Sequence, residues 1–248
     1  MTIEPAALRG NQTSGMASRW IYVFMAAVFV VITIIGFYPT STGLLAAVSA
    51  GQRPPPPLVL HIHAASMAAW FALFLTQTIL MATDRHTLHK TLGLIFLGLV
   101  PIMVLSSVAV VLGMWSVSAP PEFLIFISKL LLVQTQSLCL FLLFIGWAIW
   151  TRKKDGETHK RMMLLATLML MGVAIGRIVD GIENLGTALI AQILLLTPVF
   201  IYDKVRLGYV HRAYLIGATL YVVTSIPVYF FWNSPWWLDI APKLMGIR

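Results

Sequence analysis

Histidine is the residue type here that can ligate a metal, relay a proton or hold a haem iron. His89, His159 and His211 each stand at the start of a different apolar segment. His86, Gln77, Asp84 and Asp203 belong to the same layer of the chain. Three imidazoles at one depth suit zinc with an open fourth position, or non-haem iron once a carboxylate joins them. The expected metal ligands are therefore His89, His159, His211 and Asp203, for Zn or Fe, with His86 and Gln77 as neighbours that orient them. A single haem b held by two of the three histidines is the other form this site takes.

A second polar group falls at the opposite ends of the apolar segments. His63 lies in the first turns of one segment and Lys129 about two turns into another. Arg177 and Asp180 sit three residues apart and can pair on one helix face. His61 and His63, two apart, point to different sides of a helix, and His63 is expected to face inward. His63, Lys129, Arg177 and Asp180 are thus candidates for an outer polar pocket serving a proton or an anionic head group. Such groups inside lipid default to functional hypotheses. A structural Arg–Asp pair with a snorkelling lysine is the competing reading.

The elements that carry these groups follow from composition. The chain has 248 residues, 59% of them hydrophobic and only 10% charged. Soluble domains carry about 25% charge, so a water-facing globule and a disordered chain are both excluded. A disulfide scaffold is excluded because Cys139 is the only cysteine. A helical span needs roughly 20 apolar residues. Seven segments meet or approach that length: 20–37, 58–82, 92–114, 123–150, 162–179, 187–202 and 213–232. The sixth is short. The expected fold is an all-α polytopic membrane bundle of about seven transmembrane helices. It divides into a cytoplasmic tail (1–19), the bundle (20–232) and an external C-terminal tail (233–248). The first segment is read as a retained helix, since its polar lead is too long for a cleaved leader.

Twelve cations fall on one side of these spans: Arg9, Arg19, Arg85, Lys90, Arg152, Lys153, Lys154, Lys160, Arg161, Lys204, Arg206 and Arg212. Arg53, Lys243 and Arg248 fall on the other. This bias places the N-terminus in the cytoplasm and the C-terminus outside, in the inner (plasma) membrane. The net charge of +8 is then a topology signal, with the lipid bilayer and not nucleic acid as its partner.

Smaller features carry structural expectations. Gln134, Thr135 and Gln136 are expected to bond a neighbouring helix. Gly172 and Gly176 form a G-x-x-x-G that permits close approach. Pro101 and Pro227 are expected to kink their helices. Cys139 is expected to be inert in an apolar interior. Met162, Met163, Met169 and Met171 spread around their helix as packing residues. Phosphate-loop, H-E-x-x-H and G-x-S-x-G motifs are absent.

Several short motifs together resemble a family of predicted bacterial multi-helix membrane proteins. They are His63 to Trp70 with Gln77, Leu88-His89-Lys90-Thr91-Leu92-Gly93, His159-Lys160-Arg161-Met162-Met163-Leu164-Leu165-Ala166-Thr167, and Tyr202-Asp203 with Val210-His211-Arg212-Ala213-Tyr214. The resemblance implies a bundle of six or seven helices with no established activity, and it covers the second to the seventh span. The chain is more loosely similar to transmembrane b-type cytochromes. Their paired facing histidines on both sides are not matched, because His61 and His63 share one helix.

Three functions are compatible with these residues. One is metal- or haem-dependent redox or hydrolytic chemistry on a lipid- or quinone-like molecule. Another is a non-catalytic subunit with a membrane-protein partner or as a homo-oligomer. A third is a proton-coupled transporter using the outer cluster.

Overall fold

The computed structural model describes residues 6–116, 119–179 and 184–247, with side chains from Arg19 onward. Every regular element among them is helical: α1 (Ala6–Ser49), α2 (Leu58–Ala82), α3 (His86–Gly113), α4 (Pro121–Thr151), α5 (Gly156–Met169), α6 (Gly172–Ile178), α7 (Leu185–Leu194), α8 (Thr197–Leu207), α9 (Arg212–Phe231) and α10 (Pro235–Leu244). Six helices are long and apolar enough to cross a membrane, and a seventh crossing is the pair α5–α6, bent by 49°. The protein is an all-α, multi-pass membrane bundle.

The departures from expectation have local causes. Helix α1 continues through Pro39 to Ser49, where a loop was expected. Its apolar stretch of 31 residues spans about 46 Å at 1.5 Å per residue, longer than a bilayer core of roughly 30 Å. The short sixth span gains length because α7 and α8 join into one crossing, Leu185–Leu207. Helices α3 and α9 run through Pro101 and Pro227 without a break. The tail beyond the last span forms α10, which Trp237 docks by donating to the Ser128 carbonyl at 2.8 Å.

Outward faces are apolar and inward faces mix aromatic and polar groups, the inverse of a soluble bundle. Ile35, Leu94, Leu105 and Phe230 are exposed to the lipid. Cys139 is exposed too, which corrects its expected interior position. Inside, Trp70 is fully buried against Phe96 and Phe141, with ring centroids 3.9 and 5.0 Å away. Its indole donates to Thr167 Oγ1 at 3.3 Å. Gln136 donates to Thr224 Oγ1 at 3.0 Å and Ser225 Oγ at 2.7 Å, tying α4 to α9 as expected. Gln192 donates to the Leu168 carbonyl at 2.9 Å, just before the α5–α6 break, and accepts from Tyr221 at 3.1 Å. Without water, these side chains must satisfy one another and the freed backbone groups.

The glycine that sits tightest against a neighbouring helix backbone is not in the G-x-x-x-G. A Cβ at Gly176 would meet nothing within 4 Å, and one at Gly172 would meet the Gln192 amide at 3.2 Å. The tight point is Gly36, where a Cβ would lie 2.5 Å from the Ala174 carbonyl oxygen on α6. Backbone blocks any side chain there. We expect Gly36→Val to lower stability in detergent by about 1–3 kcal/mol through overpacking. Gly43→Ala, at a site open on all sides, is the matched control and leaves the thermal midpoint unchanged.

Candidate functional site

The basic end of the bundle holds a cavity of about 1130 Å³. Its walls come from α1, α2, α3, α4, α5 and α8. Helix α3 packs along α2 and scarcely touches α4, and the cavity is lined from both sides of that seam. Phe74, Phe96, Leu97, Val100, Ile145 and Met163 make the apolar part. His86, His89 and His159 line it with Gln77.

Gln77 and His89 are positioned by α2. His63, Trp70 and Gln77 recur every seven residues, so they form one stripe along that helix. Each anchors a neighbour. His63 Nδ1 lies 3.3 Å from Ser106 Oγ on α3, Trp70 reaches Thr167 on α5, and Gln77 Nε2 donates to the His89 carbonyl at 3.2 Å. The α2–α3 turn is held by Asp84, which adopts a left-handed φ of 58° beyond the helix end. Asp84 accepts from Arg19 on α1, and this bond holds its carboxyl below the usual carboxylate range.

His159 is fixed by the end of α4. Its Nδ1 lies 2.8 Å from the Ala148 carbonyl, in the last turn of that helix, which the Thr151 hydroxyl also meets at 3.2 Å. A carbonyl only accepts, so Nδ1 carries the proton. In the neutral ring Nε2 then has a lone pair available. Asp155 caps the start of α5, accepting from the Thr158 amide at 3.0 Å and its hydroxyl at 2.6 Å. The Thr158 hydroxyl holds the Asp155 carboxyl below its ordinary value. On the opposite wall, Nδ1 of His89 and Oε1 of Gln77 are buried with no protein partner.

The structure separates the four expected metal ligands into two environments. His89 and His159 share the cavity, whereas His211 and Asp203 do not line it. Asp203 is wholly buried and takes a two-pronged bond from Arg161, at 2.5 Å (Nη2) and 3.1 Å (Nε). It also accepts from the His211 backbone N–H at 3.0 Å. The His211 ring caps α9, its Nδ1 accepting from the Ala213 amide at 3.2 Å. Among the described residues, no three His, Cys, Asp or Glu side chains gather as a metal would need. Both carboxylate oxygens of Asp203 are engaged, and so is Nδ1 of His211.

The outer group also divides. His63 contacts Ser106, Lys129 sits 5.5 Å above the Trp232 ring, and Arg177 sits 4.4 Å from the Phe37 ring centre. These are cation–π contacts made by separate helices. Asp180 lies outside the described residues.

Arg161 was counted in the sequence as a loop cation, yet it is fully buried. It joins Glu157 at 2.5 Å, Asp203, and the Tyr214 ring at 5.4 Å. A signal was present: Glu157 precedes it by four residues on a helix that starts at a capping aspartate. No protein-family model, curated protein or solved structure matches the chain.

Two outcomes follow. Removing one partner of a buried pair strands a charge, at about 3–5 kcal/mol, whereas apolar replacement of both is near neutral. Arg161→Met or Asp203→Leu should each collapse thermal stability, and the Arg161→Met/Asp203→Leu double variant should recover most of it. The second outcome concerns pH. Burial lowers the His211 pKa below its ordinary 6.5. The unfolded chain therefore takes up the proton first, and the stabilisation from the neutral cap is complete above pH 6.5. It declines as pH falls from 6.5 through the lower folded value. Unfolding midpoints measured across that window should drop for the wild type, and the drop should be smaller for His211→Asn.

Proposed function

We propose that the protein binds a lipid- or quinone-like amphiphile in the cavity at its basic end and acts on the head group through His89 and His159. The observation that supports this reading is the lining itself: aromatic and aliphatic side chains on one part, two histidines on facing walls at the other. A cavity of about 1130 Å³ is larger than an ion or a small soluble substrate needs. Entry is from the bilayer, through the seam where α3 and α4 hardly meet. The basic loops set this end toward the cytoplasm of the plasma membrane. The Nε2 lone pair of His159 takes a proton or an electrophile. His89, which lines the same cavity, supplies or receives a hydrogen bond at the same head group.

A second reading has its own observation. An imidazole whose Nδ1–H is fixed by a backbone carbonyl is the arrangement that metal-ligating histidines use. On that reading His89 and His159, without His211 and Asp203, hold a metal ion or the iron of a haem, and the amphiphile is its substrate.

The test is solvent extraction and mass spectrometry of molecules that co-purify with the full-length protein, alongside its absorption spectrum and metal content. The amphiphile reading predicts about one isoprenoid or acyl molecule per chain, reduced severalfold in Leu97→Trp, which fills the apolar part. A chain that recovers no amphiphile from native membrane would sink it. A haem spectrum or stoichiometric metal, lost in both His89→Ala and His159→Ala, would establish the second reading.

A further inference from the structure

We infer that the head group the cavity takes is a phosphate carrying net negative charge, on a long-chain lipid. This rests on the amphiphile reading and gives it a chemistry. Six cations line the cavity: Arg19, Lys90, Arg152, Lys153, Lys160 and Arg206. Glu157 is the one acidic side chain of the lining. Arg19 is matched by Asp84, and Glu157 is shared by Lys160 and Arg161. Lys90, Arg152, Lys153 and Arg206 have no carboxylate partner among the described residues.

These four come from three separate parts of the chain. Lys90 lies on α3, Arg152 and Lys153 follow α4, and Arg206 ends α8. Topology alone would put them somewhere on the basic face. The fold does more, bringing them to one rim above one apolar recess. Unpaired cations that border one recess repel one another, and an anion relieves that repulsion. A neutral quinone would leave all four charges unmatched. Inorganic phosphate would leave the half-buried Leu97 and Val100 surface uncovered. An anionic phosphate on an acyl or polyprenyl chain satisfies both halves, as basic pockets between membrane helices do with lipid head groups. His89 and His159 then stand beside the phosphate, where the Nε2 lone pair of His159 can accept the phosphate's proton and, once protonated, donate to its oxygens.

The inference is tested on the full-length protein in detergent by native mass spectrometry. The probes are phosphatidylglycerol, a polyprenyl monophosphate, phosphatidylcholine of the same chain length, a neutral isoprenoid quinone and inorganic phosphate. One phosphatidylglycerol or polyprenyl phosphate per chain, bound well above phosphatidylcholine and quinone, is expected. Which of the two binds identifies the source, and either supports the inference. Each cation removed should weaken binding about fivefold, so Lys90→Gln/Arg152→Gln loses about 25-fold. Lys204→Gln, whose cation lies outside the cavity lining, should change nothing. Leu97→Trp should abolish lipid binding with the cations untouched, and size-exclusion profiles would confirm that each variant is folded.

Equal loss in Lys204→Gln would mean diffuse attraction to a basic surface and would overturn the inference. So would inorganic phosphate binding as tightly as the lipids. Quinone binding that is blocked by Leu97→Trp but indifferent to Lys90→Gln/Arg152→Gln would overturn the phosphate head group and leave the amphiphile reading standing. If no probe binds, both fall.

Discussion

The Arg161–Asp203 pair is the interaction on which the basic end of this bundle depends. A guanidinium and a carboxylate, each fully buried, are tenable in a membrane protein only when every polar atom of the pair is met. Here Asp203 meets Arg161 twice and the His211 amide once, and Arg161 also reaches Glu157. The pair therefore joins α5, the end of α8 and the start of α9 at one depth. Because α5 is pinned, His159 on the same helix is held against the end of α4. That placement gives the cavity one of its walls. The ion pair builds the site without belonging to it.

The histidines divide their labour according to what surrounds each ring nitrogen. His211 spends its nitrogen on a helix cap and is structural. His63 spends one on Ser106, at the far end of the stripe that positions α3. His159 donates to a helix-end carbonyl, which leaves the other nitrogen facing a cavity, and His89 has a buried nitrogen with no partner at all. His86, His89 and His159 line the cavity, and His63 and His211 do not. The cations differ too: Arg161 is spent on carboxylates inside the fold, whereas Lys90, Arg152, Lys153 and Arg206 line the cavity with no carboxylate partner among the described residues.

The outer half of the molecule is built differently. Lys129 and Arg177 rest on aromatic faces, a contact that lets a cation remain near lipid. His63, Lys129 and Arg177 sit on separate helices, and Asp180 lies outside the described residues. The bundle thus concentrates its polar machinery at one end and uses the other for anchoring, through Trp232, Trp237 and α10.

The spans were legible in the sequence because lipid imposes a length and a composition that no soluble context shares. Six or seven apolar helices, their approximate limits and the layer of histidines between them all follow from that constraint. Gln136 as interhelical glue was legible for the same reason, since a buried amide in lipid has few other uses. The tertiary structure decided which polar groups meet. Arg161 and Lys160 are neighbours in a basic run, yet one is sealed in the core and the other lines a cavity, because helix rotation assigns them to different faces. Gly36, absent from any glycine motif, packs against the Ala174 backbone because α6 passes there. His89, His159, His211 and Asp203 share a depth, and depth is what a sequence can encode through hydropathy. Whether they share a site depends on the lateral arrangement of helices, which hydropathy does not carry and only packing fixes.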